Sequence, residues 1–150
     1  MRVFQTHAQI SPDGHWLAYV STESGRSEVF VEDFLPGGTR YQVSTSGGRA
    51  PRWRADSREL FFRTVVVDEA APLLSVSMEP QGRGLRLGVP QKRFQAYAPN
   101  PRHDIGFFAY APTGDGTRFL VTRRPETQVN ESSPSGITVV MNWQELLTKK

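Results

Sequence analysis

Ser11-Pro12-Asp13-Gly14-His15-Trp16-Leu17-Ala18-Tyr19-Val20-Ser21 couples a tight turn to a strand, and its reading decides the fold because the chain returns to it. A second copy reads Arg54-Ala55-Asp56-Ser57-Arg58-Glu59-Leu60-Phe61-Phe62-Arg63. A third, read as carrying two added residues, is Pro112-Thr113-Gly114-Asp115-Gly116-Thr117-Arg118-Phe119-Leu120-Val121-Thr122. Asp13 and Asp56 stand 43 positions apart, and each aspartate is followed four residues later by Leu17, Leu60 or Phe119. Pro12 presets φ for the first corner, the aspartates accept hydrogen bonds from backbone N–H groups just ahead, and Gly14 or Gly116 tolerates positive φ. Ser57 takes the glycine place in the second copy.

A period of about 40–45 residues with several short strands per unit is the pattern of β-propeller blades. Along the first unit, 5–46, Trp16 to Val20 is nearly continuously apolar, which predicts a strand covered on both faces. Val29-Phe30-Val31 and Tyr41-Gln42-Val43 follow after turns at 23–26 and 36–38. In the second unit, 47–97, Pro51-Arg52-Trp53 reads as the inner strand. Leu60 through Val67 reads as the next, 68–72 as a turn, Leu74-Ser75-Val76-Ser77-Met78 as a half-buried strand, 80–84 as a turn, and Phe94 with Tyr97 as the outer edge. The third unit, 98–143, opens with a linker at 98–101. Phe107 to Tyr110 is its inner strand, 124–136 a loop poor in aliphatics, and Ile137 to Met141 a last strand. Asn142 then caps a short helix at 143–150.

The expected fold is therefore all-β: one domain, 1–150, of about three four-stranded blades, half of a six-bladed propeller, with a short C-terminal helix. Three blades are too few to close a ring, since propellers use four to eight. Either a second copy completes the circle as a two-fold homodimer, or missing blades come from a longer parent chain.

Bulk properties narrow the rest. The hydrophobic fraction, 37%, with 13 glycines is ordinary for a globular chain. Fifteen of the 18 basic residues are arginine and the formal charge is only +3, which argues weakly for nucleic acid. Without cysteine there are no disulfides or thiolate metal sites. No apolar run reaches membrane-spanning length and Met1 to His7 holds no secretory core, so no membrane insertion is expected. The default compartment is cytoplasmic, or periplasmic or extracellular if an exported parent is involved.

With the repeats laid out, the chain resembles the WD40-like, or PD40, repeats of bacterial TolB-type propellers, whose recurring phrase is Ser-Pro-Asp-Gly before a strand. The resemblance rests on Ser11 to Ser21, on Glu28-Val29-Phe30-Val31, and on Gln42-Val43-Ser44-Thr45. Together with the closing Ile137-Thr138-Val139-Val140-Met141-Asn142-Trp143, these look like the terminal propeller segment of large bacterial multidomain proteins, some with a serine/threonine kinase domain upstream. No kinase motif is present, nor the Gly-His and Trp-Asp signature of true WD40 repeats. The resemblance implies a fold and many permitted roles.

Chemistry-bearing motifs are sparse. His7, His15 and His103 lack zinc-ligand spacing, so no metal is expected, and no cofactor motif is convincing: Gly82-Arg83-Gly84 begins a dinucleotide fingerprint but lies in a hairpin. Asn130-Glu131-Ser132 is a bare glycosylation sequon. Asp13, Asp56 and Asp115 read as turn residues rather than a carboxylate set. The basic run Arg49, Arg52, Arg54, Arg58, Arg63 is the most suggestive feature: on a strand Arg52 and Arg54 share the face opposite Trp53, where an inner strand lines the channel and could receive a carboxylate or phosphate. The leading expectation is a non-enzymatic module binding a protein or peptide at the channel mouth through His7, Arg49, Arg52 and His103. The alternatives are a hydrolase with a triad built across blades, and anion or nucleic-acid binding along Arg49 to Arg63.

Overall fold

The computed structural model describes residues 2–35, 37–64, 70–97, 110–122 and 138–140. They form three antiparallel sheets and no helix among the described residues. The first is a four-stranded meander of β1 (Gln5–Ile10), β2 (Trp16–Ser21), β3 (Glu28–Asp33) and β4 (Arg40–Gln42) in sequence order. The second contains β5 (Arg49–Trp53), β6 (Glu59–Arg63), β7 (Ala70–Gln81), β8 (Gly84–Leu87) and β9 (Gln91–Tyr97). The third joins β10 (Tyr110–Pro112), β11 (Phe119–Val121) and β12 (Thr138–Val140).

The central sheet departs from the simple four-strand expectation. β7 is 12 residues long; its Ala70–Ser75 part pairs with β9 and its Met78–Gln81 part with β8, so a divided strand occupies the fourth position. Residues 70–72, expected in a turn, belong to β7, with Pro72 opposite Gln95. The turn expected at 80–84 shrinks to Gly82-Arg83. Gly84 has no room for a side chain, because a Cβ there would come 2.8 Å from the Tyr41 hydroxyl, which accepts the Leu85 N–H at 3.0 Å.

Packing explains the apolar runs. Trp16, Ala18, Val20, Val29 and Val31 of the first sheet meet Trp53, Leu60, Phe62, Val76 and Met78 of the second in one core. Phe61, on the opposite face of β6, joins Leu73 and Phe94 against Tyr110 and Phe119 of the third sheet. The middle sheet is thus covered on both sides, as its Leu60-Phe61-Phe62 run demands. Phe119 meets Phe61 and Phe94 edge-on at 5.1 and 5.2 Å between ring centroids.

The repeated turn has one geometry in all three sheets. Gly14 N–H donates to the Ser11 carbonyl, Ser57 N–H to Arg54 and Gly116 N–H to Thr113; Ser11, Arg54 and Thr113 each donate to the carbonyl five residues on. The third copy therefore carries no insertion: Thr113-Gly114-Asp115-Gly116 occupies the register of Ser11-Pro12-Asp13-Gly14, with the Thr113 hydroxyl accepting the Arg118 N–H as Ser11 Oγ accepts that of Trp16. Neighbouring turns are tied together, Asp13 N–H to Ser57 Oγ at 3.0 Å and Ala55 N–H to the Gly114 carbonyl at 3.0 Å. Gly116 sits at φ +70° with Arg54 and Phe61 so close that a Cβ would lie 2.9 Å from each.

Several expectations lie outside the described residues: the helix at 143–150, the linker at 98–101, the loop at 124–136, the Asn130 sequon, most of the Phe107–Tyr110 strand, and His103. The second strand of the middle sheet ends at Arg63.

Candidate functional site

The inner strands β1 and β5 are both irregular, and at the same place. Their ladders slip between Thr6 and Gln9 and between Arg49 and Arg52, with His7 at φ 56° and Ala50 at φ 52°, 43 residues apart. A non-glycine residue in this left-handed region costs about 1–2 kcal/mol, so two equivalent bulges are a feature of the blade rather than an accident. In β1 Gln9 is half-buried and Ile10 is 52% exposed, whereas the counterpart of Ile10 in β5, Trp53, is buried.

Beside these bulges the structure gathers three of the five arginines of the basic run. Arg49 stands opposite Arg63 across β5 and β6, and Arg52 opposite Phe61. Arg63 is 1% exposed, the largest fully buried side chain among the described residues, while Arg49 and Arg52 are half-buried. Arg52 Nη1 donates to Gln9 Oε1 of the neighbouring sheet at 3.1 Å, and Trp53 Nε1 donates to the Gln9 carbonyl at 3.2 Å. From the third sheet the buried Tyr110 hydroxyl donates to the Ala50 carbonyl at 2.7 Å. Burial pushes the Tyr110 phenol well above its ordinary value, and the Arg63 and Arg52 charges pull against that rise. Burial also lowers the Arg52 guanidinium, with Tyr110 opposing. His7, half-buried in β1, places Nδ1 3.0 Å from the Thr6 hydroxyl.

Arg54 and Arg58 go elsewhere. Arg54 lies just beyond the end of β5 and comes beside Phe61 at Gly116, on the side where Arg52 stands opposite Phe61. Its guanidinium binds both Asp56 oxygens at 2.8 Å and Glu59 Oε2 at 2.7 Å. Glu59 also takes Arg93, which donates to Ser75 Oγ at 2.7 Å, making a compact ion cluster at the turn end of the blade. Asp13, Asp56 and Asp115 each accept the N–H two residues ahead, at 3.1, 3.0 and 3.1 Å. His15 is exposed beside Asp13, at 3.6 Å. Among the described residues no group of three His, Cys, Asp or Glu side chains could hold a metal ion.

Sequence reasoning counted Arg63 in the basic run but not among the channel-mouth contacts, and it passed over Tyr110. Arg63 alternates with Phe61 along β6, so it shares the face turned to the third sheet, and that period-2 signal was available.

No helix among the described residues is long and apolar enough to cross a membrane. No family model matches the chain, and no curated protein matches it. Solved structures do match, among them the following two. TolB from Acinetobacter baumannii is 17% identical, with 93% of this chain and 41% of that chain covered and a TM-score of 0.43. The acylaminoacyl peptidase of Pyrococcus horikoshii is 14% identical, with 96% of this chain and 24% of that one covered and a TM-score of 0.58. The chain thus spans less than half the length of either. Identities this low speak to fold alone, and the peptidase superposition, onto a propeller, carries that argument. The chain is an all-β protein whose antiparallel sheets superpose on propeller blades.

Proposed function

We propose that this chain is a non-enzymatic interaction module which engages an acidic segment of a protein or peptide at the inner-strand mouth, through Arg49, Arg52 and His7. His103 belonged to the expected contact set and lies outside the described residues. The observation that carries the reading is the gathering of Arg49, Arg52 and Arg63 around two strained inner-strand bulges, away from the ion cluster that engages Arg54. Guanidinium groups present a planar fork suited to carboxylates, and buried Arg63 adds field without contributing a mobile side chain. The hydrolase alternative draws on the peptidase neighbour. His7 Nδ1 lies 3.0 Å from the Thr6 hydroxyl, and a broad esterase and peptidase screen with serine-directed probes separates the two readings.

The test is fluorescence anisotropy of a labelled Asp/Glu-rich decapeptide against its Lys-rich counterpart. The acidic peptide should bind and the basic one should not. Arg52→Ala should weaken binding by roughly tenfold or more, equivalent to about 1.4 kcal/mol. Equal binding of both peptides, or an Arg52→Ala variant that stays folded and binds like wild type, refutes the reading.

A further inference from the structure

The three-sheet arc ends in two faces, and the chain already shows how such faces are filled. Leu60 and Phe62 of β6 turn to the first sheet, where they join the core of Trp16, Ala18 and Val20. Counted back 43 residues, their places in the first sheet are held by Leu17 and Tyr19, and Phe30 stands opposite Tyr19 as Leu74 stands opposite Phe62. Because Trp16, Ala18 and Val20 face the second sheet, period-2 alternation puts Leu17, Tyr19 and Phe30 on the outer flank. At the other end Phe119 packs inward, so its neighbour Leu120 points away from the second sheet and is 41% exposed. Aligned on the turn aspartates, Leu120 holds the place of Phe61, the residue that the middle sheet turns to its successor.

The first-sheet flank is guarded. Tyr19 and Phe30 stack at 6.0 Å, and the Arg40 guanidinium lies 3.9 Å over Phe30 and 5.6 Å over Tyr19, anchored by Glu23. Tyr19 donates to Glu32 Oε2 at 2.9 Å, and Glu32 stands opposite Leu17. The result is an aromatic pair of which each ring is only 5% exposed, in place of a bare apolar sheet.

We infer that this flank is a docking surface for a second copy of the chain: the Leu120 face of one subunit seats on the Leu17–Tyr19–Phe30 flank of the other, and the reciprocal contact closes a two-fold ring. Among the described residues the two end faces are the two halves of a junction that one chain builds twice within itself, which identifies the occupant as another copy. Charge agrees with the pairing. Arg118, two residues before Leu120 and exposed, comes to the edge where Glu32 stands. Each subunit uses one face of each kind, so both contacts form together and the assembly stops at two.

Sedimentation equilibrium on the 150-residue chain from roughly 1 to 100 μM tests this, because association depends on concentration. Wild type should reach twice the 16.8 kDa chain mass. Leu120→Glu alone and Leu17→Arg alone should each stay at the single-chain mass, with unchanged far-ultraviolet circular dichroism. An equimolar mixture of the two should return to the double mass, since one contact is then intact and the other sets glutamate against arginine. Should Leu17→Arg unfold, Leu17→Lys replaces it in the mixture, again setting a cation against the introduced glutamate. A wild type that stays monomeric throughout, a Leu120→Glu variant that still dimerises, or a mixture of folded variants that does not re-associate overturns the inference.

Discussion

Substituting alanine for Phe119 and, separately, for Leu120 asks whether the third sheet is docked on the second or merely follows it in the chain. The two residues are adjacent on β11 and point to opposite faces: Phe119 is fully buried against Phe61 and Phe94, whereas Leu120 is 41% exposed. Truncating a buried phenylalanine costs about 3–5 kcal/mol, and the two edge-on ring contacts, worth roughly 0.5–1.5 kcal/mol each, favour the upper half of that range. Removing a largely solvated leucine side chain should cost about 1 kcal/mol or less. Urea unfolding followed by tryptophan fluorescence, at dilution low enough to keep subunits apart, measures both. With a slope of about 2 kcal/mol per molar urea, Phe119→Ala should lower the midpoint by roughly 2 M and Leu120→Ala by at most about 0.5 M. Equal losses, or a Phe119→Ala loss below about 1 kcal/mol, would show that the third sheet lies outside the cooperative unit.

Three further outcomes follow from the same geometry. Gly116→Ala should destabilise by about 1–3 kcal/mol more than Gly14→Ala, because both impose a left-handed alanine but only position 116 adds contact with Arg54 and Phe61; equal thermal shifts would contradict the packing at 116. Glu59→Gln removes the anion shared by Arg54 and Arg93 and should cost about 2–4 kcal/mol, discounted for the partial exposure of both arginines; a loss under about 0.5 kcal/mol in urea would dissolve the cluster argument. The Thr113 hydroxyl, then the Thr117 N–H and hydroxyl, hold the Asp115 carboxyl down at about 2, below its unfolded value. Its contribution is therefore present above about pH 4 and lost as pH falls towards 2, so Asp115→Asn should flatten the decline of melting temperature across that window, and an unchanged slope refutes it.

What could be read from the residues was the part of the blade where backbone chemistry is repeated. The turn at Ser11–Gly14 announces itself because proline, aspartate and glycine each do something only their type does well. The third copy looked longer than it is because Pro112 was matched to Pro12; the hydrogen bonds instead match Thr113 to Ser11, one hydroxyl for another. The alternation across β6 and the two-sided burial of its apolar run were legible for the same reason, since period and hydrophobicity act locally. The divided strand β8–β9 was not legible. Its break at 88–90 is set by the length of β7, a tertiary property. Nor were the bulges, because His7 and Ala50 carry none of the glycine signal that usually marks positive φ.

Superposing the repeat on itself separates scaffold from candidate site. At the turn end the equivalents keep their chemistry, Asp13 with Asp56 and Leu17 with Leu60, and their hydrogen bonds serve the backbone. At the inner end they diverge: Gln9 becomes Arg52, and the buried Val20 becomes the buried Arg63. Folding alone does not ask for the second change, since valine fills that position in the first blade without the several kcal/mol that desolvating a charge imposes. A cation at this place adds its field to those of Arg49 and Arg52, which is the part the proposed site gives it. Arg63→Val, written back to the first blade's solution, should therefore weaken capture of the acidic peptide in a variant whose far-ultraviolet circular dichroism stays that of the folded chain. A variant that binds as well as wild type would make Arg63 a structural residue and remove the electrostatic basis of the site.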